Sequence, residues 1–160
     1  MTIPRFYVPG PWTSDRITFP EKASHHAMRV LRMRNGDEAE VFDGEGRTAR
    51  GRTEFSSEGT VLIAESYPEH GRESPLFITL AQAFVSPDKM EWITEKAVEA
   101  GASRIVFFPA ARSVTKLSGD KLTKRLEKLR ATAVSACEQC GRSRIPEIEA
   151  FASAEAMLSG

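Results

Sequence analysis

The side chains best placed to do chemistry fall late in the sequence, in Glu138-Gln139-Cys140-Gly141-Arg142-Ser143-Arg144. A carboxylate there can accept a proton. Guanidinium groups can stabilise charge that develops in a transition state. A second candidate is the polar stretch Arg112-Ser113-Val114-Thr115-Lys116, which follows an apolar run ending at Phe108. Open α/β sheets bind ligands outside the carboxyl ends of their strands, so its position makes it a site candidate. The third is basic. Arg29, Arg32 and Arg34 end one segment, and Arg47, Arg50 and Arg52 lie on the next. Arginine pairs bidentately with phosphate, so such a cluster fits a nucleic-acid backbone. It equally fits a solvated face near a helix C-terminus.

Other tempting residues point elsewhere. His25 and His26 are adjacent, about 100° apart on a helix, and do not form a chelating pair. Cys137 and Cys140 form a CxxC, but two thiols are half of a structural zinc site. They end a helix instead of starting one, away from the dipole end that lowers a thiol pKa. They read as structural, and no metal is expected. A thiol redox role is the competing reading. Lys121, Lys124, Arg125, Lys128 and Arg130 line one side of a helix, as a solubility face does, with RNA contact the lesser alternative.

The elements that must position these groups change rhythm along the chain. Pro4 to Val8 predicts a strand, and Glu21 to Leu31 a helix with Ala23, Ala27, Val30 and Leu31 on one face. Asn35-Gly36 should close that helix. Glu38–Phe42, Arg47–Phe55 and Thr60–Ala64 read as short strands separated by turn residues. One helix and a meander in so few residues suggest a small closed barrel. Residues 68–75, bracketed by Pro68 and Pro75, read as a linker.

Beyond it the pattern is β-α-β-α. Leu76–Phe84 is a strand, and Ser86-Pro87 starts a helix that Gly101 ends. Arg104–Phe108 is a buried strand. A long helix starts near Asp120, Ile145–Ile148 is a third strand, and Ser153 caps another helix. Two or three strands make a poorly protected sheet, so residues 76–160 read as the front part of a larger α/β domain.

The totals set limits. Lys plus Arg and Asp plus Glu each number 22, so net charge is zero and gives no general argument for a nucleic-acid partner. Hydrophobic residues make up 41% and charged residues 28%, values ordinary for a globular protein. No apolar run could span a membrane, and the N-terminus lacks an apolar signal core. A cytoplasmic location is the expectation, and two cysteines fit a reducing compartment.

Taken in order, the residues resemble a known family. Ile3-Pro4-Arg5-Phe6-Tyr7, His26-Ala27-Met28-Arg29-Val30-Leu31-Arg32 and Phe42-Asp43-Gly44 are similar to the N-terminal domain of the 16S rRNA uridine-N3 methyltransferases. Asp88–Trp92, Lys96–Gly101, Arg112-Ser113, Glu138–Arg142 and Pro146-Glu147-Ile148 continue the likeness. The resemblance implies an α/β protein with a β-rich start. A PUA-like RNA-binding barrel (1–67) and a linker (68–75) would precede the N-terminal part of a SPOUT, or trefoil-knot, methyltransferase domain (76–160). The family's Gly-Pro-Glu-Gly-Gly and Leu-Gly-x-Arg-Leu-Arg-x-Glu-Thr segments are absent from these residues, so the knot region and cofactor pocket are expected to be missing.

The implied activity is S-adenosylmethionine-dependent methylation of uridine N3 in 16S rRNA of the small ribosomal subunit. The full-length enzyme is expected to be a cytoplasmic homodimer, and these residues alone to be inactive. Arg142, Glu138 and Arg112 are the catalytic candidates. Arg29, Arg32, Arg34, Arg50 and Arg52 are the RNA-binding ones. No cofactor-binding residue carries over. The alternative is a non-catalytic RNA-binding module.

Overall fold

The structure is a computed structural model that describes residues 3–69, 73–111 and 117–159. It divides into two compact units. The first comprises residues 1–72 and 141–144, the second residues 73–140 and 145–160.

The first unit is built on a five-stranded sheet in the order β1-β3-β4-β5-β2. Its strands are β1 (Arg5–Tyr7), β2 (Arg16–Thr18), β3 (Glu38–Phe42), β4 (Thr48–Ser56) and β5 (Gly59–Ser66). Strand β1 runs parallel to β3, and the other pairs are antiparallel. Alternation shapes β4, where Ala49, Gly51 and Thr53 are buried between more exposed arginines, whereas β3 is buried from Ala39 to Phe42. Strand β2 has only three residues and was not expected. Among the described residues no backbone pairing joins the edge strands β1 and β2. Side chains bring the two edges together instead: the rings of Phe6 in β1 and Phe19 just after β2 lie 5.1 Å apart.

The helical segment also departs from expectation. Helix α1 (Glu21–His25) passes into a π-helical turn, His26–Val30. The Leu31 amide donates to the His26 carbonyl at 3.0 Å, and the Met33 amide to the Ala27 carbonyl at 3.0 Å. Arg32, at φ 54°, not Asn35-Gly36, makes the left-handed turn that ends it. Gly36 then turns the chain into β3 at φ 87°.

In the second unit, β6 (Thr79–Ala83), β7 (Arg104–Phe108) and β8 (Glu147–Ala150) form a parallel sheet in sequence order. The strand expected from Leu76 begins three residues later, and Leu76 and Phe77 are exposed. Helix α2 (Pro87–Glu99) starts after Ser86 as expected, although the Ser86 side chain makes no capping bond. Its buried residues are Met90, Thr94, Ala97 and Val98. Helix α3 (Gly119–Cys140) buries Leu129, Ala133, Ala136 and Cys137. Ser153 caps α4 (Ala154–Leu158) by accepting from the Ala156 amide at 3.1 Å.

Candidate nucleic-acid interface

The first unit carries the basic cluster, and the structure sorts its arginines by what faces them. Arg50 Nη2 lies 3.4 Å from Glu38 Oε2. Arg52 Nε lies 3.3 Å from Glu65 Oε1, and its Nη1 donates to the Gly36 carbonyl at 2.9 Å. Arg16 pairs with Glu54 at 3.2 Å on the same face. This is a mosaic of compensated charge, and it offers a phosphate little net attraction.

Arg29, Arg32 and Arg34 are different. All three are exposed, and among the described residues none has a carboxylate within ion-pair distance. They follow one another around the π-helical turn and the left-handed turn at Arg32. Unpaired guanidinium groups on one edge are what a polyanion needs. Arg47, the remaining member, stacks its guanidinium over the Trp12 ring at 5.4 Å.

A second feature of this unit is a return of the chain. Residues 141–144, between α3 and β8, belong with the first sheet. Arg5 holds them there. Its Nη1 donates to the Arg142 carbonyl at 3.3 Å and its Nη2 to Ser143 Oγ at 3.1 Å, while its Nε donates to Glu40 Oε1 at 2.6 Å. The same guanidinium lies over the Phe42 ring at 4.9 Å. The Gly46 amide donates to the Ser143 carbonyl at 3.1 Å, and Arg144 bridges to Gly44 and Glu45. A side chain at Gly46, already at φ 112°, would crowd the Arg144 guanidinium at 3.1 Å.

The catalytic candidates therefore have distinct settings. Arg142 is 5% exposed, packed in the returning segment. Glu138 is half-buried near the end of α3, in the second unit. Arg112 lies outside the described residues. Cys137 is buried and Cys140 half-buried, as structural cysteines would be. On the α3 basic face, Arg125 pairs with Glu91 at 3.1 Å and Arg130 donates to the Ile148 carbonyl at 3.0 Å, so both serve packing. Sequence reasoning missed Arg5 as an anchor. Its signal was present only as an unexplained arginine between apolar neighbours.

Among the described residues no cluster of three or more His, Cys, Asp or Glu could hold a metal. No described helix is long and apolar enough to cross a membrane.

The family model for an RNA methyltransferase domain matches residues 72–160, and that for an RNA methyltransferase PUA domain matches residues 19–64. The chain belongs to the RNA methyltransferase family. Its likeness extends to named relatives. It is 34% identical over 126 residues to ribosomal RNA small subunit methyltransferase E of Bacillus subtilis, a match covering 78% of this chain and 49% of the relative. The protein of that name in Mycobacterium bovis is 35% identical over 128 residues, covering 78% and 47%. The chain thus spans about half the length of the curated relatives it matches.

Two solved structures share the fold. A Legionella pneumophila protein described as a methyltransferase, with bound S-adenosylmethionine, has TM-score 0.87 and 30% identity. That match covers 95% of this chain and 64% of the other. Ribosomal RNA small subunit methyltransferase E of Neisseria gonorrhoeae, bound to S-adenosylmethionine, has TM-score 0.82 and 30% identity. It covers 93% and 63%. Both parts of the resemblance read from the sequence, the PUA-like first domain and the methyltransferase family, are thereby borne out.

S-adenosylmethionine would need an apolar bed for its adenine ring in the second unit. One concavity among the described residues of that unit is lined by Glu95, Thr132, Ser135, Ala136 and Gln139. A hydrogen bond from Lys96 holds the Glu95 carboxyl below its usual range. The walls are polar and have no aromatic or broad apolar surface for an adenine ring. The residues of this one concavity do not fit the group.

Proposed function

We propose that the full-length protein methylates N3 of a uridine in 16S rRNA of the small ribosomal subunit, with S-adenosylmethionine as donor. It would act as a cytoplasmic homodimer with a trefoil-knotted SPOUT domain. The observation that carries this reading is the match of residues 72–160 to an RNA methyltransferase domain. The first unit adds three exposed arginines that have no carboxylate partner among the described residues. Arg29, Arg32 and Arg34 would supply attraction to the RNA backbone. Arg50 and Arg52 would contribute less, because Glu38 and Glu65 already face them.

Methylation at N3 requires loss of the N3 proton and stabilisation of charge on the uracil carbonyl oxygens. Glu138 is the proposed proton acceptor, and Arg142, helped by Arg112, the proposed electrostatic partner. The target base must expose its Watson–Crick edge, so it lies outside a helix or is extruded. Residues 1–160 by themselves are expected to lack measurable donor binding and activity.

The test is product analysis. Full-length protein, labelled donor and small-subunit RNA are incubated, and the RNA is digested to nucleosides. Label in N3-methyluridine supports the proposal. Label in another nucleoside overturns the N3 assignment. Tight RNA binding without any label favours the non-catalytic module.

A further inference from the structure

We propose that the concavity under the π-helical turn holds one unstacked base of a single-stranded RNA segment, together with its flanking phosphates. This rests on the reading of the protein as RNA-directed. It goes beyond backbone attraction by assigning a base site.

The concavity has a volume of about 380 Å³ and is lined by Met28, Arg29, Met33, Arg34, Asn35 and Phe55. Backbone geometry creates it. The π-helical turn ends at Val30, and the left-handed Arg32 brings the chain back so that the Met33 amide reaches the Ala27 carbonyl. Met33 and Phe55 pack from below against the sheet's core, and Met28 is 36% exposed above. Two thioethers and a phenyl ring thus provide an apolar bed. Polarizable sulfur and aromatic surfaces suit the face of a base.

Polar groups surround that bed. Asn35 Oδ1 accepts from the Phe55 amide at 2.7 Å. A backbone amide can only donate, so this bond fixes which end of the Asn35 amide faces inward. Its NH₂ end is left to donate to an acceptor such as a base carbonyl. Arg29 and Arg34, without carboxylate partners among the described residues, supply charge for phosphates on either side.

The site's shallowness selects its occupant. A small-molecule pocket buries roughly 70–90% of its ligand. This surface is too open for that, so a free nucleotide would gain little. A base carried on a longer strand gains the remaining affinity from its neighbours. Duplex RNA is excluded, because stacking covers its base faces.

The experiment measures binding of the full-length protein to three fluorescent RNAs by anisotropy. These are a uridine-rich single strand, the same strand with central abasic sites, and a duplex. The intact strand should bind about tenfold more tightly than the abasic strand, the order expected for one base on an apolar platform. Met28→Ala, at an exposed position, should abolish that preference. Asn35→Asp keeps the acceptor for the Phe55 amide, removes the donors, and should do the same. Arg29→Gln and Arg34→Gln should weaken both single strands equally. Equal binding of intact and abasic strands by the unaltered protein overturns the base site, as does an unchanged preference in Met28→Ala. Duplex binding as tight as the single strand overturns it too. Failure to bind any RNA would instead overturn the RNA-directed reading itself.

Discussion

Arg5 and Glu40 form an ion pair at 2.6 Å, with side chains only 11% and 9% exposed, and the same guanidinium seats Arg142 and Ser143. Removing one partner of a buried pair leaves the other desolvated without compensation, at a cost of about 3–5 kcal/mol when burial is complete. Arg5→Ala should therefore destabilise the first unit by about 2–4 kcal/mol in denaturant unfolding. Arg5→Ala combined with Glu40→Ala should recover part of that loss. Hydrogen exchange should also rise at the Gly46 amide, whose acceptor is the Ser143 carbonyl. Unchanged exchange there would mean that Arg5 does not hold the returning segment.

The sorting of arginines predicts different salt dependences. A phosphate contact on single-stranded RNA contributes about 0.7 to the slope of log affinity against log salt. Arg29→Gln and Arg34→Gln should each lower the slope by about that amount. Arg50→Gln should leave it nearly unchanged, since Glu38 already faces that guanidinium. Glu38→Gln should instead strengthen binding at low salt. Equal slopes for all arginine variants would show that the ion pairs open when RNA binds.

The same distinction shows what a linear sequence carries. Ser86-Pro87, Gly101 and Ser153 marked helix ends correctly, because capping and left-handed turns are decided within a few residues. The alternation of β4 was legible for the same reason. Register was not. Glu38 lies across from Arg52, and its carboxylate reaches Arg50, only after β3 pairs with β4. Strand β2 was invisible because three residues carry no period, and it exists through its pairing with β5. The π-helical turn looks like an α-helix over five residues. The seating of Arg142 by Arg5 spans 137 positions, a separation no local pattern encodes.

Gly51 offers a test of the sheet itself. A methyl group there would come within 1.8 Å of the Ile63 carbonyl oxygen and 2.8 Å of its carbon. These are backbone atoms of the paired strand, so no side chain can swing away. The register shift between Arg50 and Gly51 lies at this close approach. Overpacking costs typically about 1–3 kcal/mol and sometimes more. Gly51→Ala should reach the upper part of that range in urea unfolding and lower RNA affinity in proportion to the folded fraction. A loss below about 0.5 kcal/mol would show that β4 and β5 separate easily.

The two cysteines should differ in alkylation. Cys137 is buried on α3, whereas Cys140 is half-buried at its last residue. Cys140 should therefore be alkylated in the folded protein, and Cys137 only on unfolding. Alkylation of Cys137 as fast as Cys140 in the folded protein would show that α3 opens locally.

The sharpest test of the proposed chemistry is Arg142. Its side chain is nearly enclosed, so Arg142→Ala alone could act by loosening the segment. Arg142→Lys keeps the charge but loses the planar fork. If the guanidinium stabilises charge on the uracil ring, Arg142→Ala should lower kcat of the full-length enzyme about 10²-fold, the cost of removing one such donor. The KM for RNA should change little, because the interaction strengthens only in the transition state. Arg142→Lys should recover part of kcat. A purely structural role predicts the opposite: lower thermal stability, a parallel fall in bound RNA, and the same kcat for the fraction that remains folded. Rates unchanged in both variants would remove Arg142 from the mechanism and leave Glu138 and Arg112 to be tested in the same way.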